Sequence, residues 1–319
     1  MQALRIGGFV SFTLAIIFLF VGKIALASLI ADGALGKLAA AGSGMRSGLP
    51  HHTPKAKAVI HLFMAGAPSQ LELFDYKPEL VKRDGQDCPD DFLKGRKFAF
   101  TAGKPKLMGS PRTFGQYGRS GQWMSDAIPH LHTVADELCV IRSMTTDQFN
   151  HAPAELLVYT GSPRPGRPSI GSWVTYGLGS ENQNLPGFVV MLDSTGGPIS
   201  GAKNWSAGYM PAIYQGTVLR GDGPPILDLA NPAGRSDDLQ RRMLDRLKMW
   251  NTRHALERSG NTELESRIES YELAYRMQAT APEAVDTSLE SAKTKELYGM
   301  DEPQTEEFGR KCLLARRLV

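Results

Sequence analysis

Three short apolar runs, each closed by a turn, constrain this chain more than any other feature. Ala58 to Met64 lies within KAVIHLFMAG, Asp136 to Met144 reads DELCVIRSM, and Leu185 to Leu192 reads LPGFVVML. Runs of this length bounded by turn residues read as buried strands, with the strand cores at Ala58 to Met64, Glu137 to Arg142 and Phe188 to Leu192. Helical patterns separate them, at Pro129 to Val134, Ala152 to Tyr159 and Ile170 to Leu178. Strands alternating with helices predict an α/β fold, a mostly parallel sheet with helices on both faces.

A different pattern follows. Leu239, Met243, Leu244, Leu247 and Trp250 recur at three- and four-residue steps between Arg235 and Arg258, as do Leu264, Ile268, Tyr271 and Tyr275 between Asn261 and Gln278. Joined at Gly260-Asn261, they predict an αα-hairpin lying against the α/β body, with a coiled-coil interaction arm as the alternative.

The amino-terminus sets the location. Residues 6 to 22 carry no charge, and after Lys23 the apolar character resumes up to Asp32. A helix over residues 6 to 31, at about 1.5 Å per residue, exceeds a hydrocarbon core of about 30 Å. The competing reading is a signal peptide with Arg5 as its basic end and Ala25-Leu26-Ala27 before the cut. Both send the chain across a membrane, so it is expected to be exported: membrane-anchored through the apolar helix, or periplasmic or extracellular. Residues 32 to 54 are small, Gly-rich and Pro-bounded, a flexible linker, and the folded domain is expected over 55 to 319.

Composition excludes some classes of function. Thirty-six basic and 33 acidic residues leave a net charge of only +3, scattered along the chain, so no electrostatic footprint for nucleic acid is present. Cys88, Cys139 and Cys312 lie far apart without disulfide or zinc spacing, and read as small hydrophobes. No glycine pattern matches a dinucleotide or phosphate loop.

Two stretches could carry chemistry. MAGAPSQLELFDYKP leaves the first expected strand at its carboxyl end, where open parallel sheets place ligands. Its Glu72 and Asp75, three apart, could hold a hard divalent cation; alternatively Ser69 caps a helix with Glu72 at its third position. FNHAPAELLVYTG follows the second expected strand. Asn150 can cap a helix with Pro153 in its first turn, which puts His151 at a helix N-terminus, either as a ligand or as a satisfied surface residue.

HTPKAKAVIHLFMAGAPSQLELFDYKP (52 to 78), TTDQFNHAPAELLVYTG (145 to 161) and PSIGSWVTYGLGSENQNLPGFVVML (168 to 192) together resemble a bacterial family of sulfatase-like proteins, domain of unknown function 1501. The resemblance runs from about Pro50 to Val319, and LRIGG at 4 to 8 resembles the tail of a twin-arginine export signal without its arginine pair. It implies an alkaline-phosphatase/sulfatase-like fold and a metal-dependent hydrolase of phosphate or sulfate esters, acting on a small-molecule or glycan ester. HAPAELLVYTG is similar to the sulfatase stretch C-x-P-S-R-x-x-L-x-T-G, with His151 in the slot of the nucleophile, Ala154 replacing the serine and Glu155 the arginine. Because histidine cannot become formylglycine, the resemblance implies that His151 is a metal ligand or a covalent phosphoryl acceptor. Glu72, Asp75 and His151 are then the expected metal ligands, for zinc or another divalent ion. Family members continue beyond the segment matching FGRKCLLARRLV, so the resemblance implies a chain truncated at its C-terminus with a weak or incomplete metal site. The alternatives are a non-catalytic membrane-tethered binding module and a truncated product without activity.

Overall fold

The computed structural model describes residues 55–64, 68–95, 103–194, 196–221, 223–258 and 260–319. The expected apolar helix over 6 to 31 and the linker to 54 lie outside these residues. The described chain gathers into two compact units, one holding 61–154, the other 155–319 together with 55–60.

The first unit contains α1 (Pro78–Lys82), α2 (Asp90–Leu93), an antiparallel hairpin of β1 (Phe114–Tyr117) and β2 (Gln122–Ser125), and α3 (Pro129–His132). Its core is Phe74, Met124 and Ala135, with Leu73, Tyr117, Ile128, Leu131, Leu138 and Val140 packed around them. Tyr76 lays its ring on Phe114 and Trp123, at 5.0 and 4.7 Å. Tyr117 stacks on His132 at 3.7 Å, and His132 Nε2 lies 2.9 Å from the Ser125 carbonyl. The hairpin turns through Gly118 and Gly121, both at positive φ, where a side chain is strained. The Asp136 carboxylate closes that turn by accepting the N–H groups of Arg119 and Ser120 at 2.8 and 3.2 Å. Those two bonds hold its carboxyl below the ordinary aspartate value.

The second unit takes up α4 (His151–Thr160), which begins in the first, and adds α5 (Ile170–Leu178), then β3 (Val189–Met191) paired in parallel with β4 (Thr217–Leu219). Ser169 caps α5, its Oγ accepting the Ser172 N–H, and Gly179 at positive φ ends it. Gly171 is the seat of the Phe188 ring: a Cβ there would stand 2.4 Å from it. The hairpin follows, as α6 (Asp237–Leu256) and α7 (Thr262–Val285), capped by Ser236 and Asn261. Arg241 binds both carboxylate oxygens of Glu272, at 3.1 and 2.9 Å, and lies over the Tyr275 ring, which fixes α6 against α7. α8 (Ala292–Leu297) and α9 (Glu306–Leu318) complete the unit. Leu313 and Leu314 of α9 are buried, and Gly309 sits so close to the Tyr298 carbonyl that a Cβ would fall 1.8 Å from its oxygen. Arg317 donates to the carbonyls of Glu283 and Ala284, the last turn of α7, at 2.7 and 3.0 Å. Such donors are what the unbonded end of a helix requires.

The expected helices at 129 to 134, 152 to 159 and 170 to 178 and the αα-hairpin are present. The three-stranded parallel sheet is not: among the described residues the sheets are two separate pairs, and only β3–β4 is parallel. Residues 58–64 lie in no strand, with Val59, Ile60, Leu62 and Met64 exposed. Residues 135–137 form a 3-10 turn, and the carbonyls of Ala135 and Leu138 are taken by the Gln122 side chain at 2.9 and 2.8 Å rather than by a neighbouring strand. Apolar content creates a demand for burial but supplies no ladder partner, and at 58–64 four of the apolar residues stay exposed. All three cysteines are free thiols: Cys88 buried, Cys139 exposed, Cys312 half-buried with burial pushing its thiol up.

Candidate functional site

The segment bearing Glu72 and Asp75 folds as a tight turn on the end of β2. Gln70 to Glu72 form one 3-10 turn, and the Gln70 carbonyl accepts the N–H groups of Leu73, Phe74 and Asp75 at 3.2, 3.0 and 2.9 Å. Ser125 fastens the turn, its N–H donating to the Leu73 carbonyl at 2.9 Å and its hydroxyl to the Glu72 carbonyl. Burial of Phe74 beneath completes the anchor. Both carboxylates are thus placed by backbone contacts to one strand end. Asp75 faces Lys77, whose Nζ lies 2.8 Å from its Oδ1. Ser69 occupies the cap position, but its side chain makes no cap bond; its carbonyl accepts the Glu72 N–H at 3.0 Å. The expected capping box is therefore replaced by a backbone turn.

His151 is the first residue of α4 and is exposed. Asn150 begins the helix as its sequence predicts: its Oδ1 accepts the Ala152 N–H at 3.3 Å and its carbonyl the Ala154 N–H at 3.0 Å. Pro153 has no N–H to satisfy. Among the described residues no three of the His, Cys, Asp and Glu side chains are gathered to hold a metal ion. Glu72 and Asp75 share one turn, and His151 does not complete a three-ligand set with them.

Two features of the second unit go beyond the sequence reading, in which Glu155 stands only as the replacement of the sulfatase arginine. Glu155 is 5% exposed, and its Oε2 has no hydrogen-bond partner among the described residues. Tyr159, one turn further along α4, has its phenol raised well above the usual value by burial and then by the Glu155 charge. The signal available was an acid set directly before LLVY, inside the apolar part of the helix. The second feature lies where β3 and β4 end. Glu307 on α9 accepts the Ser194 N–H at 2.9 Å, the Ser194 hydroxyl and Lys311 Nζ at 2.6 Å. Lys311 also donates to the Leu192 carbonyl at 3.2 Å and stands 3.7 Å from Asp193. These contacts, Lys311 foremost, hold the Glu307 carboxyl down to about 2. Every group in this cluster is engaged by another, which suits it to locking α9 onto the ends of the parallel pair.

A protein-family model described as "Protein of unknown function (DUF1501)" matches residues 56–319. The chain belongs to the DUF1501 family. Neither the curated proteins nor the solved structures give a match. The DUF1501 match takes in the Glu72–Asp75 turn, the start of α4 and the Glu307–Lys311 cluster, so each lies within the family's own region. Among the described residues of this DUF1501 protein, no helix is long and apolar enough to cross a membrane.

Proposed function

We propose that this DUF1501 protein is an exported, sulfatase-like hydrolase of phosphate or sulfate esters, of the alkaline-phosphatase superfamily, acting on small-molecule or glycan esters. The observation that carries the reading is the position of His151, exposed at the first residue of a ten-residue helix. There the helix dipole favours an incoming anion. Asn150 occupies the N–H at 152 and Pro153 removes the next, so attraction for an ester anion falls on the dipole and the His151 ring. One ring nitrogen attacks the phosphorus or sulfur, the ester oxygen leaves with the bonding pair and takes a proton from solvent, and water then releases the group from the imidazole.

The family resemblance adds a divalent ion, zinc or another, at Glu72, Asp75 and His151. A catalytic zinc takes three protein ligands, and as placed these residues do not make up such a set, so no step is routed through a metal. A second reading keeps the exposed His151 as an anion contact without chemistry, in a non-catalytic binding module tethered to the membrane.

Turnover of p-nitrophenyl phosphate and p-nitrophenyl sulfate by the purified full chain, compared with His151→Ala, tests the proposal; a loss of about 10³ or more is expected. Equal rates in the two proteins would remove His151 from the chemistry. Absence of turnover in the wild type, with ester binding retained, would favour the binding module. Zinc titration calorimetry on both proteins reads the metal separately: identical heats would exclude His151 as a ligand.

A further inference from the structure

The helix α6 (Asp237–Leu256) carries more apolar surface than its hairpin uses. Gln240, Arg241, Leu244, Leu247, Asn251 and Ala255, at three- and four-residue spacing, are the partly buried side that meets α7, and no residue of the helix is fully buried. An outward flank keeps Leu239, Met243 and Trp250 in one stripe, 40%, 48% and 59% exposed. Arg242, Arg246 and Arg253 form a row along this stripe, and none of them makes an ion pair among the described residues. Of the acids of α6, Asp245 is taken by Arg241 at 2.8 Å and Asp237 by Asn231 at 2.6 Å, while Asp238 is exposed one turn before Arg242. Glu257, just past the helix end, faces Arg258.

We propose that this outer face of α6 docks on the surface of an anionic lipid bilayer. A helix that offers Trp, Leu and Met between arginines fits the boundary between headgroups and acyl chains, where the apolar side chains enter and the guanidinium groups stay among the phosphates. Charge decides between this and the other candidate occupant, a second copy of the chain. Two copies meeting through the same face would set one arginine row against another, whereas an anionic leaflet complements all three. The docking does not depend on the apolar leader, which would only hold α6 near the same surface.

Full chain is mixed with vesicles of phosphatidylcholine alone or with about one third phosphatidylglycerol, their acyl chains brominated to quench nearby tryptophan. The Trp250 share of the quenching is isolated by comparison with Trp250→Phe. Trp250 should be quenched in the anionic vesicles and not in the neutral ones, which also separates docking from insertion of the leader. The triple variant Arg242→Gln, Arg246→Gln, Arg253→Gln should lower the ratio of docked to undocked protein about a hundredfold, at about fivefold for each arginine. A Met243→Ser variant, at a residue about half exposed, should weaken docking without altering helicity by circular dichroism. Equal Trp250 quenching in neutral and anionic vesicles, or no change in the triple variant, would overturn the proposal. So would lipid-free protein of dimeric mass in which Trp250 is shielded from acrylamide, since a second copy would then cover the face.

Discussion

Two helices of the second unit show opposite ways of belonging to a fold. α9 is held by shape as well as by charge: Leu313 and Leu314 are buried, and Gly309 lets the Tyr298 carbonyl approach to a distance that no side chain would allow. α6 is held by one side only, through Arg241 to Glu272 and Tyr275 beside the partly buried Leu244 and Leu247, and leaves Leu239, Met243 and Trp250 outward. Apolar periodicity alone does not distinguish them. The difference is whether neighbouring backbone comes close enough to use the apolar face, and it predicts where substitutions will cost stability.

Gly309→Val should give the largest effect, a loss of about 3 kcal/mol or more, because backbone rather than a flexible side chain occupies the space a Cβ needs. Chemical denaturation followed by circular dichroism would read it, and an unchanged midpoint would mean that α9 is not docked as described. Arg317→Ala should cost about 2 kcal/mol, since it strips donors from the last carbonyls of α7 and from Glu290, to which Arg317 lies at 2.8 Å. Hydrogen exchange should then accelerate first at the C-terminal turn of α7.

A smaller effect depends on pH. Glu307 has a folded value of about 2 against an ordinary 4.5, so its contribution is complete above pH 4.5 and is lost as pH falls toward 2. In Glu307→Gln the thermal midpoint should begin lower and decline less between pH 4.5 and 2 than in the wild type; parallel declines would show that the cluster does not couple α9 to the strand ends. The smallest effect belongs to α6, where Met243→Ser should change stability by no more than about 0.5 kcal/mol. A larger loss in lipid-free protein would show that the outer face is already covered.

The helices were legible because a 3.6-residue period and their caps are local. Ser169, Ile170 to Leu178 and Gly179 contain a cap, a body and a stop in one stretch, and Asn150 with Pro153 does the same for α4. Of the sheets, only β3 was legible, inside the strand expected at 188 to 192. Apolar residues at 58–64 announce a preference for burial without naming a partner, β4 is three residues long, too short to show alternation, and the β1–β2 hairpin hides its short strands among glycines and polar residues. For the candidate site the same division holds. Glu72 and Asp75 in one turn, and His151 at a helix start, follow from neighbours in sequence. Burial of Glu155 does not, because one acid on a helix ordinarily faces water. The Glu307–Lys311 pair could be read at a four-residue spacing, but Ser194, 113 residues away, could not.

The three thiols give each half of the molecule its own clock. An alkylating reagent should consume Cys139 at once, because it is open to solvent, while Cys88, in the same unit, waits until that unit opens. Cys312, on α9 of the other unit, is slowed twice, by cover and by a thiol that gives up its proton reluctantly. Mass spectrometry of a timed labelling series can therefore ask whether the two halves melt together or one before the other, without introducing a single foreign residue.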